Sequence, residues 1–97
     1  MKELSESRIL IVDDVPANID VLVQALRGEY QLSVALDGAS ALRTADKLLP
    51  DLVLLDIMMP GINGYEVCRQ LRDAPRTSEI PVMFLSSLGD VQDKARG

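Results

Sequence analysis

Arg8-Ile-Leu-Ile-Val12 is a short apolar run rich in β-branched residues, and it stops at two aspartates. Runs of this length and composition predict a buried strand. From Pro16 the period changes: Ile19, Leu22, Val23 and Leu26 recur at i, i+3, i+4 and i+7. That is the core-facing stripe of a helix, begun by a proline suited to a first turn and stopped at Gly28. Residues 30–36 predict a second strand and Asp37-Gly38 a turn. Residues 39–49 then predict a helix that carries Leu42, Ala45 and Leu49 inward until Pro50 closes it. Asp51-Leu-Val-Leu-Leu-Asp56 predicts a third strand, with the unbroken apolar character of a strand covered on both faces. Residues 58–64 form a loop by their Pro-Gly and Asn-Gly content, and residues 65–72 resume a helical pattern with Val67, Cys68 and Leu71 available for packing. Residues 80–85 predict a fourth strand, with Pro81 near its start, where a missing N–H is tolerable. Residues 1–7 are polar and predict a flexible leader, while the polar stretch 88–97 predicts no definite element.

Alternating strands and helices, with strands apolar on both sides, predict a parallel α/β sheet with right-handed crossovers. Ligands of such open sheets sit beyond the carboxyl ends of the strands. In this chain those ends carry Asp13, Asp14, Asp56 and Ser86.

Composition narrows what these residues can do. The 97 residues, 47% apolar, suffice for one modest core and hence one domain. A net charge of −5, with no cluster of Lys and Arg, lacks the positive stripe that nucleic-acid backbones require. The single cysteine, Cys68, cannot form an internal disulfide, and no secretory leader is evident, so a cytoplasmic setting is expected. The longest apolar stretch, 52–59, is broken by Asp56 and is too short to cross a membrane. Histidine is absent, which removes imidazole acid–base chemistry and histidine metal sites. Carboxylates, hydroxyls and backbone must carry any chemistry.

Three carboxylates brought to one sheet edge repel one another by roughly 3 to 4 kcal/mol per pair at an effective dielectric near 20. A hard divalent cation relieves that cost. Mg²⁺ takes oxygen ligands, uses one or two protein carboxylates and keeps positions for water and phosphate. Asp14 and Asp56 are the expected direct ligands. An oxygen of Asp56 could then attack phosphorus in line to give an aspartyl phosphate, and the hydroxyl of Ser86 could donate to a phosphoryl oxygen. Movement of the Ser86 loop would turn the modification into a change of surface. The plainer readings are that Asp13 and Asp14 cap the first helix, that Asp56 opens a turn and that Ser86 caps a helix. Met58 and Met59 are expected to be loop or packing residues, and Cys68 a small residue packing its helix.

The segments Ile-Leu-Ile-Val-Asp-Asp14, Pro-Asp-Leu-Val-Leu-Leu-Asp56-Ile-Met-Met-Pro60-Gly-Ile-Asn-Gly64 and Phe-Leu-Ser86-Ser87 together resemble response-regulator receiver domains of two-component signalling. The acidic pair, the strand-ending aspartate, the proline four residues on, the glycine eight residues on and the later serine all fall in that family's order. The resemblance covers nearly the whole chain, 1–97 read as a partial receiver domain. It implies a flavodoxin-like, doubly wound parallel sheet whose expected strands are four in the order 2-1-3-4, incomplete at the carboxyl end. It further implies Mg²⁺ held by Asp14, Asp56 and the backbone carbonyl of Met58, with Asp13 acting through a metal-bound water. The phosphoryl donor it implies is a histidine kinase. Asn63 stands where the family more often has aspartate.

The family continues through a fifth strand and helix, with a strand-ending lysine and an aromatic switch residue. Lys94 and Arg96 come too early in that order to serve as the lysine and read as solvated charges. The expectation is therefore impaired switching, an exposed fourth strand, and self-association as a homodimer or by exchange of elements. Two rivals stand beside the phosphoacceptor reading. One is a phosphorylation-dead module that acts through a binding surface. The other is a haloacid-dehalogenase-like phosphatase, although that class wants a second aspartate where this chain has Met58.

Overall fold

The computed structural model describes residues 6–85. Its strands are β1 (Arg8–Val12), β2 (Gln31–Ala35), β3 (Leu52–Asp56) and β4 (Val82–Leu85). Between them lie the helices α1 (Pro16–Leu26), α2 (Gly38–Leu48) and α3 (Gly64–Asp73). The four strands form one parallel sheet in the order β2-β1-β3-β4, the flavodoxin-like arrangement. β1 therefore sits between β2 and β3, paired Ile9 with Leu32 on one side and Ile9 with Leu52 on the other.

Because side chains alternate across a strand, β1 and β3 each divide their apolar residues between two faces. Leu10, Val12, Val53 and Leu55 join Ala41 and Ala45 of α2 and Val67 and Leu71 of α3 in one cluster. Ile9, Ile11 and Leu54 turn the other way and meet Ile19 of α1. The apolar continuity of these strands thus follows from cover on both sides.

Helix boundaries follow local chemistry. Asp37 precedes α2 and its Oδ1 accepts the Ser40 N–H at 2.7 Å; Asn63 precedes α3 and accepts the Glu66 N–H at 3.0 Å. These caps satisfy N–H groups that a helix cannot satisfy internally. At the far end of α2 the expectation for Leu49 is corrected. Pro50 disfavours the helical conformation in the residue before it, and Leu49 turns into the left-handed region at φ 49°. Its side chain is exposed, and the buried stripe of α2 runs through Gly38, Ala41 and Ala45 instead. β4 begins at Val82 because Pro81 has no N–H to pair, although the Pro81 carbonyl accepts the Val53 N–H at 3.0 Å. The connection from α3 to β4 is anchored by Thr77, a buried residue whose hydroxyl donates to the Leu71 carbonyl at 2.7 Å. Among the described residues β4 is an edge strand and leaves Met83 and Phe84 exposed, with the Phe84 ring 5.1 Å from that of Tyr65. Among them, no helix is long and apolar enough to cross a membrane.

Candidate functional site

β1 and β3 run parallel and in a register that pairs Val12 with Leu55. The next residue on each strand is an aspartate, Asp13 and Asp56. Neighbouring strands lie about 4.8 Å apart, so this register alone forces the two carboxylates into one place. Asp14 follows directly. One carboxylate oxygen from each of Asp13, Asp14 and Asp56 lies within 4.8 Å of the others. Asp13 and Asp56 are each only 3% exposed, whereas Asp14 is half-buried and sets one side of the cluster at the surface.

Two buried carboxylates and a third beside them carry repulsion of about 3 kcal/mol per pair at an effective dielectric near 20. Asp13 meets part of this cost through neutral donors. Its Oδ1 accepts the Val15 N–H at 2.9 Å and its Oδ2 accepts from Nδ2 of Asn18 at 3.2 Å. The backbone N–H of Asp13 also donates to the Ala35 carbonyl at 3.2 Å, so β1 stays tied to β2 up to the site. Val15, the residue before α1, has no side-chain acceptor to offer the helix. Asp13 therefore both faces the cluster and steadies the start of α1, but it is not the helix cap: the residue before α1 is Val15, and among the described residues no side chain accepts a first-turn N–H of α1.

The loop after Asp56 is shaped by close approach. A Cβ on Gly64 would lie 2.3 Å from the Asp56 carbonyl oxygen and 2.9 Å from Cα of Ile57, so only glycine lets α3 begin directly against the end of β3. The Gly64 N–H donates to the Ile57 carbonyl at 2.9 Å and closes the loop. Gly61 within it has φ +78°, a conformation that suits glycine. Asn63 supplies a side-chain oxygen to cap α3, so its difference from aspartate leaves the loop's hydrogen bond in place. Met59 is buried in the core under the loop, and Met58 carries its side chain 62% exposed.

The cluster consists entirely of hard oxygen donors, carries three formal negative charges, and comes from a chain with no histidine. That donor set fits Mg²⁺ and does not suit softer metals that prefer nitrogen or sulfur. The structure thus brings together Asp13, Asp14 and Asp56, with Met58 two residues further along the same loop. Ser86, and with it Lys94 and Arg96, lies outside the described residues. Sequence reasoning missed two parts of the site. Asn18 gave no signal, because an amide inside a helical stripe reads as a solvated residue. Gly64 read only as a loop former, because its contact with Asp56 is a matter of packing.

The chain matches the response regulator receiver domain over residues 9–97. The response regulator PleD of Caulobacter vibrioides is 47% identical over 92 residues, which cover 94% of this chain and 20% of PleD. The chain thus spans about a fifth of that relative's length. The crystal structure of a putative response regulator from Chloroflexus aurantiacus superposes with a TM-score of 0.81 at 37% identity, over 94% of this chain and 75% of that one. The receiver domain of the sensor histidine kinase PA1611 from Pseudomonas aeruginosa superposes with a TM-score of 0.80 at 29% identity, over 92% of this chain and 74% of that one. A magnesium ion is coordinated in the active-site cleft of that PA1611 structure.

Proposed function

The chain belongs to the response regulator receiver domain family, and from that premise we propose that it accepts a phosphoryl group on Asp56 from a histidine kinase, with Mg²⁺ as cofactor. The observation that carries this reading is the convergence of Asp13, Asp14 and Asp56 within 4.8 Å at the carboxyl ends of β1 and β3. Asp14, Asp56 and the backbone carbonyl of Met58 would hold the cation directly, and Asp13 would act through one of its waters. When bound, Mg²⁺ supplies positive charge against the phosphoryl oxygens.

The chain's own residues do the rest. Asp56 presents a carboxylate oxygen to phosphorus; the new O–P bond forms as the bond to the donor breaks, and the donor leaves with its electron pair. The burial of Asp56 keeps bulk water from the acceptor oxygen, which slows hydrolysis of the acyl phosphate. The hydroxyl of Ser86 donates to a phosphoryl oxygen in the product. Acceptance and slow loss of the group is the whole intrinsic chemistry, so the domain, residues 1–97 with 1–7 as leader, works as a cytoplasmic signalling module and not as a turnover enzyme. Self-association is part of the proposal, supported by the exposed Met83 and Phe84 on the β4 edge. A compact monomer at micromolar concentration in sedimentation would remove that part alone.

Incubation with Mg²⁺ and acetyl phosphate, read by intact mass, tests the acceptor. The wild-type chain gains one phosphoryl mass that is lost at alkaline pH, and Asp56→Asn gains none. An Asp56→Asn chain that gained the same mass would defeat the assignment, and a wild-type chain that gained none would favour the phosphorylation-dead module. The haloacid-dehalogenase-like alternative lacks its second aspartate, since Met58 stands there with its side chain exposed.

A further inference from the structure

The carboxylate of Asp13 is held on both oxygens by the start of α1. Val15 N–H meets Oδ1 at 2.9 Å, and Nδ2 of Asn18 meets Oδ2 at 3.2 Å. The first of these is backbone and survives nearly any substitution. The second depends on one side chain. Asn18 is the third residue of α1, where a side chain ordinarily reaches back toward the residue before the helix. Here it reaches further, to a residue that is 3% exposed and shares a carboxylate cluster with Asp14 and Asp56.

The chemistry of the donor matters. A lysine or arginine in this place would hold Asp13 equally well but would cancel one of the three negative charges. An amide donates a hydrogen bond and carries no net charge, so Asp13 is oriented while the cluster keeps its full attraction for a cation. A carboxylate oxygen has two lone pairs, and occupying one of them with Asn18 turns the other. Asp13 would hold one of the cation's waters, so a group that fixes the orientation of Asp13 acts on metal affinity through that water.

We propose that Asn18 is a positioning residue for the acidic pocket: by holding Oδ2 of Asp13 with a neutral donor it sets the pocket's affinity for Mg²⁺. The proposal rests on the reading of the cluster as a cation site. It makes Asn18 a determinant of the Mg²⁺ concentration at which the domain accepts a phosphoryl group, and so ties the first turn of α1 to the readiness of Asp56.

The test compares the wild-type chain with Asn18→Leu, Asn18→Gln and Asn18→Lys. Mg²⁺ affinity is measured by calorimetry, and the initial rate of phosphorylation by acetyl phosphate is measured as a function of Mg²⁺. Asn18→Leu, close in size and without a donor, is expected to weaken Mg²⁺ binding about threefold, less than the roughly tenfold loss when a direct ligand's partner is removed. Its phosphorylation rate at saturating Mg²⁺ should stay within about twofold of wild type, because Asp56 itself is untouched. Asn18→Gln keeps the donor and should recover most of the affinity, while Asn18→Lys should bind Mg²⁺ more weakly than Asn18→Leu because its charge competes with the cation. A wild-type affinity retained in Asn18→Leu overturns the proposal while leaving the cation site intact. So does a lower rate that saturating Mg²⁺ does not restore, since that marks a general lesion of the fold. A wild-type chain that binds no Mg²⁺ overturns the cation site itself, and this inference with it.

Discussion

The two faces of the sheet receive the same kind of strand residue and end up built to different depths. Toward α2 and α3, eleven described residues are buried in one cluster that includes Leu10, Val12, Val53 and Leu55. Toward α1 the buried cluster is Ile9, Ile11, Ile19 and Leu54, and its neighbours Leu22, Leu26, Tyr30 and Leu85 are only partly covered. A cavity of about 490 Å³ opens on this face, lined by Ile9, Leu22, Leu26, Leu54, Met83 and Leu85 among others. β1 and β3 are equally apolar on both sides, so the difference among the described residues comes from what covers them: two described helices on one face, one on the other. The lesson is a division of labour. The deep face supplies stability, and the shallow face, through α1, carries the Asn18 contact to the acidic pocket.

The sharpest way to break this comparison is to remove a large side chain from each face. Leu55→Ala on the deep face should cost about 2–5 kcal/mol in urea unfolding, because a fully buried leucine leaves a cavity that helices on that side cannot fill. Leu22→Ala on the shallow face should cost about 1 kcal/mol, since that side chain is only partly buried and its loss adds to space already open. Equal costs would mean that the shallow face is as well packed as the deep one.

The next effect is at the junction of the deep face with the site. Gly64→Ala places a Cβ against the Asp56 carbonyl, and such overpacking should cost about 1–3 kcal/mol and push α3 away from β3. Phosphorylation of Asp56 by acetyl phosphate should slow in the same variant, a joint result that a simple loop residue would not give. A smaller effect is expected at Thr77. Thr77→Val keeps the shape and deletes the hydroxyl that donates to the Leu71 carbonyl, at a cost of about 1 kcal/mol by chemical denaturation.

The smallest effect is electrostatic and lies on the outer surface of α3. Hydrogen bonding from Arg69 holds the Glu66 carboxyl below its ordinary value, with help from Gln70. A depressed folded value means that this contribution is present above the unfolded glutamate value of about 4.3 and is lost as pH falls through the lower folded value. Glu66→Gln should therefore lower stability slightly near neutrality, where the contribution is fully present, and flatten its fall as pH drops through the acid range. Urea midpoints at pH 6 and pH 3 read the difference, which solvent screening keeps small.

Much of this architecture was legible beforehand because it depends on local periodicity. The stripe Ile19, Leu22, Val23 and Leu26 predicted α1, and the run ending at Asp56 predicted β3, to within a residue. Leu49 was misplaced because periodicity counts it as a third inward residue after Leu42 and Ala45, while Pro50 after it ends the helix one residue earlier. The acidic site was legible as to which carboxylates would meet, since parallel strands carry their carboxyl ends to one edge. Its supporting contacts were not, for no local pattern distinguishes an asparagine that holds a buried aspartate from one that faces water.

The amino-acid sequence by itself determined the alternation of elements, the apolar interior of β1 and β3, and the placing of an aspartate at the end of each. These follow from side-chain spacing and from the backbone preferences of proline and glycine. Only the tertiary structure decided that Asp13 and Asp56 stand side by side, that Asn18 grips one of them, that Gly64 lies against the other's carbonyl and that one face of the sheet is deeper than the other. Each of these is a distance between residues far apart in the chain or in different elements. Strand register and helix packing set such distances, and both depend on the whole core forming at once.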